Sequence, residues 1–290
     1  MMNENKERYN ESMKIAIIGF GFVGKATLNG LNDDVETLLV DPKLGTSPKK
    51  LGAFKPNFVF VCVPTPMGKD GKIDSTIIFN VLNDIEKYCS DTVTIIKSTV
   101  TPDIIESIIN SKINVVYNPE FLRERTADED FINSKMIIFG GNREYCKKAA
   151  DMYRNHTKCK CNDYQFMPAD KASLLKYTVN SFLATKVLFF NEIHKLFSKL
   201  DINMSWEDFI SVIQLDSRIG NSHMEVPGPD GRYGFGGACF PKDTSALYQF
   251  SKSNGSNLDI LKKAIEKNNN IRSSYKDLEF REKEQNVQFN

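Results

Sequence analysis

Between Met13 and about residue 140, short apolar runs alternate with stretches of helical periodicity: KIAIIGF, TLLV, FVFVCV, TVTIIK, INVVYN and KMIIFG. Runs with so few interior polar positions predict strands buried on both faces. Their alternation with helices predicts an α/β fold, a doubly wound parallel sheet with helices on either side. Gly, Pro, Asn and Asp stand at many of the run ends, where turns are needed.

The rhythm changes after MPADKAS. Residues 168–200 predict one long helix, with apolar positions three and four apart and a start at Pro168, Ala169 and Asp170. Leu188, Phe189 and Phe190 are consecutive, so more than one face is apolar, and the helix is expected to be buried between domains or subunits. No strand-like run follows it. SWEDFISVIQ and NLDILKKAIEKNNN read as helix or loop, and the last twenty residues are polar enough to fray. The expected organisation is a disordered polar leader at 1–12, an α/β domain at 13–167, and a long helix with a smaller helical domain at 168–290.

Composition narrows the partners. With 41% hydrophobic and 26% charged residues the chain has the makings of an ordinary soluble core. Thirty-eight basic residues against thirty-seven acidic ones leave a net charge of +1, so bulk electrostatics call for neither nucleic acid nor an anionic membrane. No run approaches the roughly 18 apolar residues of a membrane span. The opening MMNENKERYNES has no apolar segment and reads as neither signal peptide nor anchor. Six cysteines are too few and irregular for a disulfide framework, which points to a reducing cytoplasm. Cys159 and Cys161 in KCKCND fall short of a zinc site, and no metal is expected.

The first apolar run leads directly into GFGFVG, comprising Gly19, Phe20, Gly21, Phe22, Val23 and Gly24. Between a strand and a helix, G-x-G-x-x-G permits a tight turn and close approach of a pyrophosphate to the helix N-terminus. Asp41 ends the second run, seventeen residues past Gly24, where a carboxylate can accept hydrogen bonds from a ribose. An acid there repels a 2'-phosphate and favours NAD over NADP; the chain is short for a flavoprotein.

Ligands of such sheets bind outside the carboxyl ends of the strands. CVPTP, KSTVTP and YNPEFLRE bring Thr65, Ser98, Thr99, Glu120 and Glu124 to that edge. Thr99 is equally readable as a helix cap. Glu120, among apolar neighbours, is expected to be partly desolvated, with a raised pKa suited to base work. Lys176 and Asn180 are four apart on the long helix and share a face that could hold an oxyanion or simply be solvated. Cys239 lies in GFGGACFPKD, where glycines deny it bulky wrapping, Pro241 suits a helix start and Lys242 is close in sequence. A thiol so placed would carry usable thiolate at neutral pH.

Taken in order, GFGFVG, CVPTP, KSTV, NPEFLRE, Lys176 with Asn180, and GFGGACFPKD closely resemble the nucleotide-sugar dehydrogenases, the UDP-glucose/GDP-mannose dehydrogenase family, over residues 14 to about 250. The resemblance implies four-electron oxidation of a sugar C6 alcohol to a carboxylate with NAD. UDP-glucose is the best-matched substrate, and GDP-mannose or an N-acetylhexosamine nucleotide are alternatives. It implies that Cys239 forms a thiohemiacetal and then a thioester. Lys176 and Asn180 would stabilise oxyanions, Thr99 and Glu120 would handle water, and Asp243 would support the site.

Thr65, Glu124 and Lys242 match cofactor-contacting positions. Phe121, Leu122, Gly228, Arg232 and Gly236 match substrate-binding ones. Arg218 matches an arginine that reaches the substrate of the neighbouring subunit in a homodimer built on the long helix. Arg125 departs from the family pattern, which has glycine there. The family also continues into a second α/β domain that closes over the nucleotide, whereas this chain ends soon after the cysteine segment. Two other readings stand beside this one: a two-electron β-hydroxyacid or 6-phosphogluconate-type dehydrogenase, which would need no thiol, and a non-catalytic NAD-binding derivative.

Overall fold

The computed structural model describes residues 12–201 and 203–289, so the leader expected at 1–12 lies outside the described residues apart from Ser12. The chain forms two compact units. The first runs up to Thr65 and resumes over Ser75–Lys176; the second takes Pro66–Asp74 and everything from Tyr177 onward.

The first unit is built on a seven-stranded sheet of order β2-β1-β3-β4-β5-β6-β7. Its strands are β1 (Lys14–Ile18), β2 (Glu36–Val40), β3 (Phe58–Val61), β4 (Val93–Ile96), β5 (Asn114–Tyr117), β6 (Ile137–Gly141) and β7 (Tyr164–Met167). The helices between them are α1 (Phe22–Asn29), α2 (Leu51–Phe54), α3 (Thr76–Cys89), α4 (Pro102–Ile109), α5 (Ala127–Ile132) and α6 (Arg143–His156). Successive side chains of a strand point to opposite faces. Ile15, Ile17, Phe58, Phe60, Val93 and Ile95 therefore enter one core with Phe139 and Tyr153, while Ala16, Ile18, Val59, Val61 and Ile96 enter the other with Tyr117 and Ile138. Each fully buried Ile or Phe contributes about 1.5–3 kcal/mol, which is why the central runs read as uninterrupted apolar sequence.

Two features depart from the expected all-parallel sheet. β6 runs antiparallel to β5, with Tyr117 opposite Gly140. The antiparallel pairing covers only two register pairs, Val116 with Gly141 and Tyr117 with Gly140, and β6 takes its parallel partner, β7, on its other side. β7 was not anticipated. It is an edge strand paired only with β6, and only Tyr164 of its four residues is fully buried, so YQFM lacks the apolar signature of the central strands.

The long helix α7 spans Ala169–Phe197, slightly shorter than the expected 168–200. Its C-terminal part belongs to the second unit, with α8 (Trp206–Ile213), α9 (Phe240–Ser253), α10 (Asp259–Arg272) and α11 (Phe280–Glu284). One core of this unit joins Ala184, Leu188, Phe235 and Ala264. A second joins Phe190, Trp206, Ile210, Met224 and Val226. The hairpin Pro66–Asp74 lies between β3 and α3 in sequence yet belongs here. Met67 donates to the Gln285 carbonyl, and Ser245 donates to that of Gly71.

The described residues of the last twenty, 271–289, are packed rather than frayed as their polarity suggested. Glu282 and Val287 are buried, and α11 opens with a reciprocal cap between Glu279 and Glu282. Among the described residues, no helix is long and apolar enough to cross a membrane.

Candidate active site

In the first unit, the carboxyl ends of β1, β3, β4 and β5 share one edge of the sheet because these strands are parallel. β1 opens there into the glycine turn. Gly19 has φ +91°, and a Cβ on it would stand 2.6 Å from the Cys62 carbonyl oxygen. One on Gly24 would stand 2.1 Å from the carbonyl oxygen of Gly19. A Cβ on Gly21 would meet nothing within 4 Å, so that glycine opens onto space rather than onto the chain. Gly21 is the N-cap of α1 and makes no side-chain cap, and the first turn carries no acidic residue. The positive end of the helix therefore has no carboxylate of its own, and the turn fits the pyrophosphate of a dinucleotide.

Asp41 follows β2. Its Oδ2 accepts from Phe20 N at 2.7 Å and its Oδ1 from Lys43 N at 2.8 Å, so the expected ribose acceptor also ties β2 to the glycine turn. Thr65 donates its hydroxyl to the Thr99 carbonyl at 2.7 Å, joining the ends of β3 and β4. Phe22 and Val23 form the first turn of α1, and Glu124 is exposed in a short turn beyond β5.

Glu120 and Lys176 come together in the same unit. Ser173 donates to the Val100 carbonyl at 2.6 Å and so anchors α7 one turn before Lys176. The Lys176 ammonium donates to the Glu120 carbonyl at 2.5 Å and to its Oε1 at 3.3 Å, and lies 5.2 Å from the centre of the Phe121 ring. Oε2 of Glu120 accepts from Leu122 N at 2.6 Å. Glu120 is buried as expected, but beside a cation and a backbone donor rather than among apolar groups alone.

In the second unit, Cys239 is the N-cap of α9 and is half-buried, and none of the six cysteines is in a disulfide. One turn on, Asp243 is 1% exposed and both its oxygens are taken. Asn180 donates to Oδ2 at 2.6 Å and Lys242 to Oδ1 at 2.5 Å. Lys242, expected to act on the thiol, thus has its charge balanced by Asp243.

The other predicted residues are placed less centrally. Gly228 and Arg232 close a tight turn through Gly228 N and the Arg232 carbonyl, and the Arg232 guanidinium donates to the Asp277 carbonyl. Arg218 is held by both oxygens of Asp216 and is largely exposed. Gly236 packs against Arg272 and Glu282.

A buried group at the end of β4 was missed. The Lys97 ammonium donates to Asn118 Oδ1 at 2.9 Å, and the Tyr153 hydroxyl donates to the same oxygen at 2.6 Å. Asn118 in turn donates to the Ile138 carbonyl, which secures the start of the NPEFLRE segment. Burial pushes the pKa of Lys97 down from its ordinary value, and burial pushes Cys62 up to about 12. The signal was available, since Lys97 directly follows a strand at the carboxyl edge, where a cation in an apolar sequence is unexpected.

Two family models match the chain. Residues 29–157 match the NAD binding domain of the UDP-glucose/GDP-mannose dehydrogenase family, and residues 170–270 match its central domain. The glycine turn precedes the first matched residue, so its fit to a dinucleotide rests on its own geometry. A UDP-glucose 6-dehydrogenase of Rickettsia felis is 36% identical over 220 residues, covering 72% of this chain and 47% of that protein. One from Campylobacter jejuni is 31% identical over 299 residues, covering 91% of this chain and 73% of that protein. A UDP-glucose dehydrogenase structure from Pyrobaculum islandicum superposes with a TM-score of 0.69 at 26% identity, covering 89% of this chain and 68% of that one. The chain spans about half the length of several of the curated relatives it matches. With both family domains matched in order on the expected fold, the chain belongs to the UDP-glucose/GDP-mannose dehydrogenase family.

Proposed function

We propose that this chain oxidises the C6 alcohol of a nucleotide sugar, UDP-glucose first among candidates, to the carboxylate by way of a covalent intermediate on Cys239. The observation that carries the reading is the buried Asn180–Asp243–Lys242 arrangement one turn into the helix that Cys239 caps. Such a network has a desolvation cost and fixes its members closely. Bound NAD supplies the hydride acceptor for both oxidations.

The chemistry needs a thiol because an aldehyde has no hydride to give until a nucleophile has made its carbon tetrahedral. The Cys239 thiolate adds to the aldehyde carbon as the C=O π pair moves to oxygen, giving a thiohemiacetal. Loss of hydride from that carbon leaves a thioester. Water then adds, the C–S bond breaks, and the sulfur leaves as thiolate while the carboxylic acid gives up its proton. Lys176 and Asn180 carry N–H donors suited to the oxyanions, Glu120 accepts a proton from the attacking water, and Thr99 orients that water.

We also assign a homodimer built on α7. Phe182, Phe189 and Leu196 recur every seven residues and are 65%, 56% and 55% exposed, an apolar stripe suited to a second copy.

The test is NADH production against a panel of nucleotide sugars, scored for stoichiometry. Two NADH per sugar, abolished in Cys239→Ser, is expected. One NADH per sugar with Cys239→Ser fully active would replace this reading with a two-electron dehydrogenase, and none with any sugar would leave an NAD-binding protein.

A further inference from the structure

The segment leading into Cys239 is neither helix nor strand, yet part of it is buried, and its backbone groups must find partners. Side chains from three other helices supply them. Asn191 on α7 accepts from Gly234 N at 2.8 Å. Asn268 on α10 accepts from Phe235 N at 2.7 Å and donates to the Phe235 carbonyl at 2.9 Å. Arg272, also on α10, donates to the Gly234 carbonyl at 2.9 Å, and Glu282 on α11 accepts from Gly237 N at 3.1 Å.

The glycines are what permit this. Gly234 has φ +76°, and a Cβ on it would sit 2.6 Å from Asn268 Oδ1. A Cβ on Gly236 would sit 2.5 Å from Arg272 Nη1 and 2.6 Å from Glu282 Oε1.

Arg272 and Glu282 are 3% and 0% exposed and face one another at 3.8 Å, and Arg272 Nη1 also donates to Asp230 at 2.6 Å. Burying such a pair costs desolvation that packing alone would not require. The central-domain match ends at residue 270, before both of them.

We infer that Arg272 and Glu282 are positioning residues for the thiol: an arginine–glutamate clamp on Gly234–Gly237 that fixes where Cys239 sits at the mouth of α9. The inference rests on the proposed role of Cys239 as nucleophile. A thiolate at a helix N-cap is favoured by the N–H groups of the first turn only while its sulfur stays near the helix axis. Releasing Gly237 N and the Gly234 carbonyl frees the backbone that leads into Cys239, so the sulfur is no longer held in one place at the start of α9.

The readout is the rate at which iodoacetamide alkylates Cys239 in the full chain at pH 7, followed on its own peptide by mass spectrometry. Cys146, buried in the first unit, serves as the internal reference. In Arg272→Lys and Glu282→Gln the Cys239 rate falls about tenfold, the scale expected for losing a charge-assisted hydrogen bond, while the Cys146 rate and NAD binding hold. Asp230→Asn, at a less buried point of the clamp, produces the same change at about threefold and carries the test if the other variants do not fold.

A merely structural role gives the opposite sign, since a loosened unit exposes its thiol and speeds alkylation. Faster or unchanged alkylation of Cys239 overturns the inference. The two proposals fail separately. A wild-type chain that oxidises no nucleotide sugar but shows the slowing keeps the clamp and loses the proposed activity; one that yields two NADH without the slowing keeps the activity and loses the clamp.

Discussion

Asn180 donates its amide N–H to Asp243 across 2.6 Å, so a residue of the long helix directly holds the carboxylate one turn beyond the thiol. The other oxygen of Asp243 faces the buried ammonium of Lys242. Asp243→Asn leaves that ammonium without its counter-charge and sets two amides against each other. It is expected to destabilise the chain by about 3–5 kcal/mol. Asn180→Ala removes one hydrogen bond to a charged group and is expected to cost about 1.5–3 kcal/mol. Urea unfolding of the two variants checks the order.

The three glycines of the turn separate folding from binding. Gly24→Ala drives a methyl group into the carbonyl of Gly19, so it is expected to lower the unfolding midpoint and abolish NAD binding together. Gly21→Ala meets nothing in the chain and is expected to lower the midpoint only by the small cost of alanine at an N-cap, far less than Gly24→Ala, while weakening NAD at least tenfold through contact with the pyrophosphate. Calorimetric titration with NAD beside a thermal melt distinguishes the two.

Glu120 and Lys176 are expected to fail at different steps. In the proposed mechanism Lys176→Met removes an oxyanion donor and should lower kcat about 10²–10³-fold. Glu120→Gln removes the group proposed to accept the proton of water, so the proposed thioester should accumulate. Intact-protein mass spectrometry after mixing with NAD and sugar is expected to show a covalent adduct in Glu120→Gln that is absent from Cys239→Ser.

Stability is expected to fall at alkaline pH. Burial pushes Cys146 up from 9.0 to about 11, so between those values the folded chain binds a proton that the unfolded chain has released. Unfolding then becomes easier as pH rises through that window, and below it the thiol adds no pH dependence. This thiol alone should lower stability by about 1 kcal/mol between pH 8 and pH 10. Cys146→Ala, at its own cavity cost of about 1 kcal/mol, is expected to remove that fall. Urea midpoints at the two pH values test it.

The apolar stripe on α7 gives the simplest test of assembly. Phe182→Glu with Phe189→Glu places charges on the face proposed to meet a second copy, and these exposed sites should leave the melting temperature of the monomer nearly unchanged. Sedimentation is expected to show a dimer for the wild-type chain and a monomer for the variant.

Much of the fold was legible because burial on both faces leaves a one-dimensional trace. The six apolar runs became six strands, GFGFVG became the turn before α1, and the periodicity after MPADKAS became α7. Each of these depends on neighbours within a few residues, and a single chain pattern therefore determines them. Thr65, Thr99, Glu120 and Cys239 stood out as candidates for the same reason, since strand ends and a proline-started helix are local features, whereas Asp243, Arg218, Gly228, Arg232 and Gly236 came only from the family resemblance.

What only the tertiary structure decided are the pairings between distant segments. β6 runs against β5 but along β7, and the hairpin Pro66–Asp74 joins the helical unit through hydrogen bonds with Ser245 and Gln285. Lys242 reads as a neighbour of the thiol in sequence, but its ammonium is held by Asp243. The polar C-terminal residues read as solvated, yet Glu282 reaches back 45 positions to the amide of Gly237. Polar side chains carry no periodic signature of their partners: whether a charge meets water or a buried backbone group is set by which segment the fold brings beside it, and that choice exists only once the chain has packed.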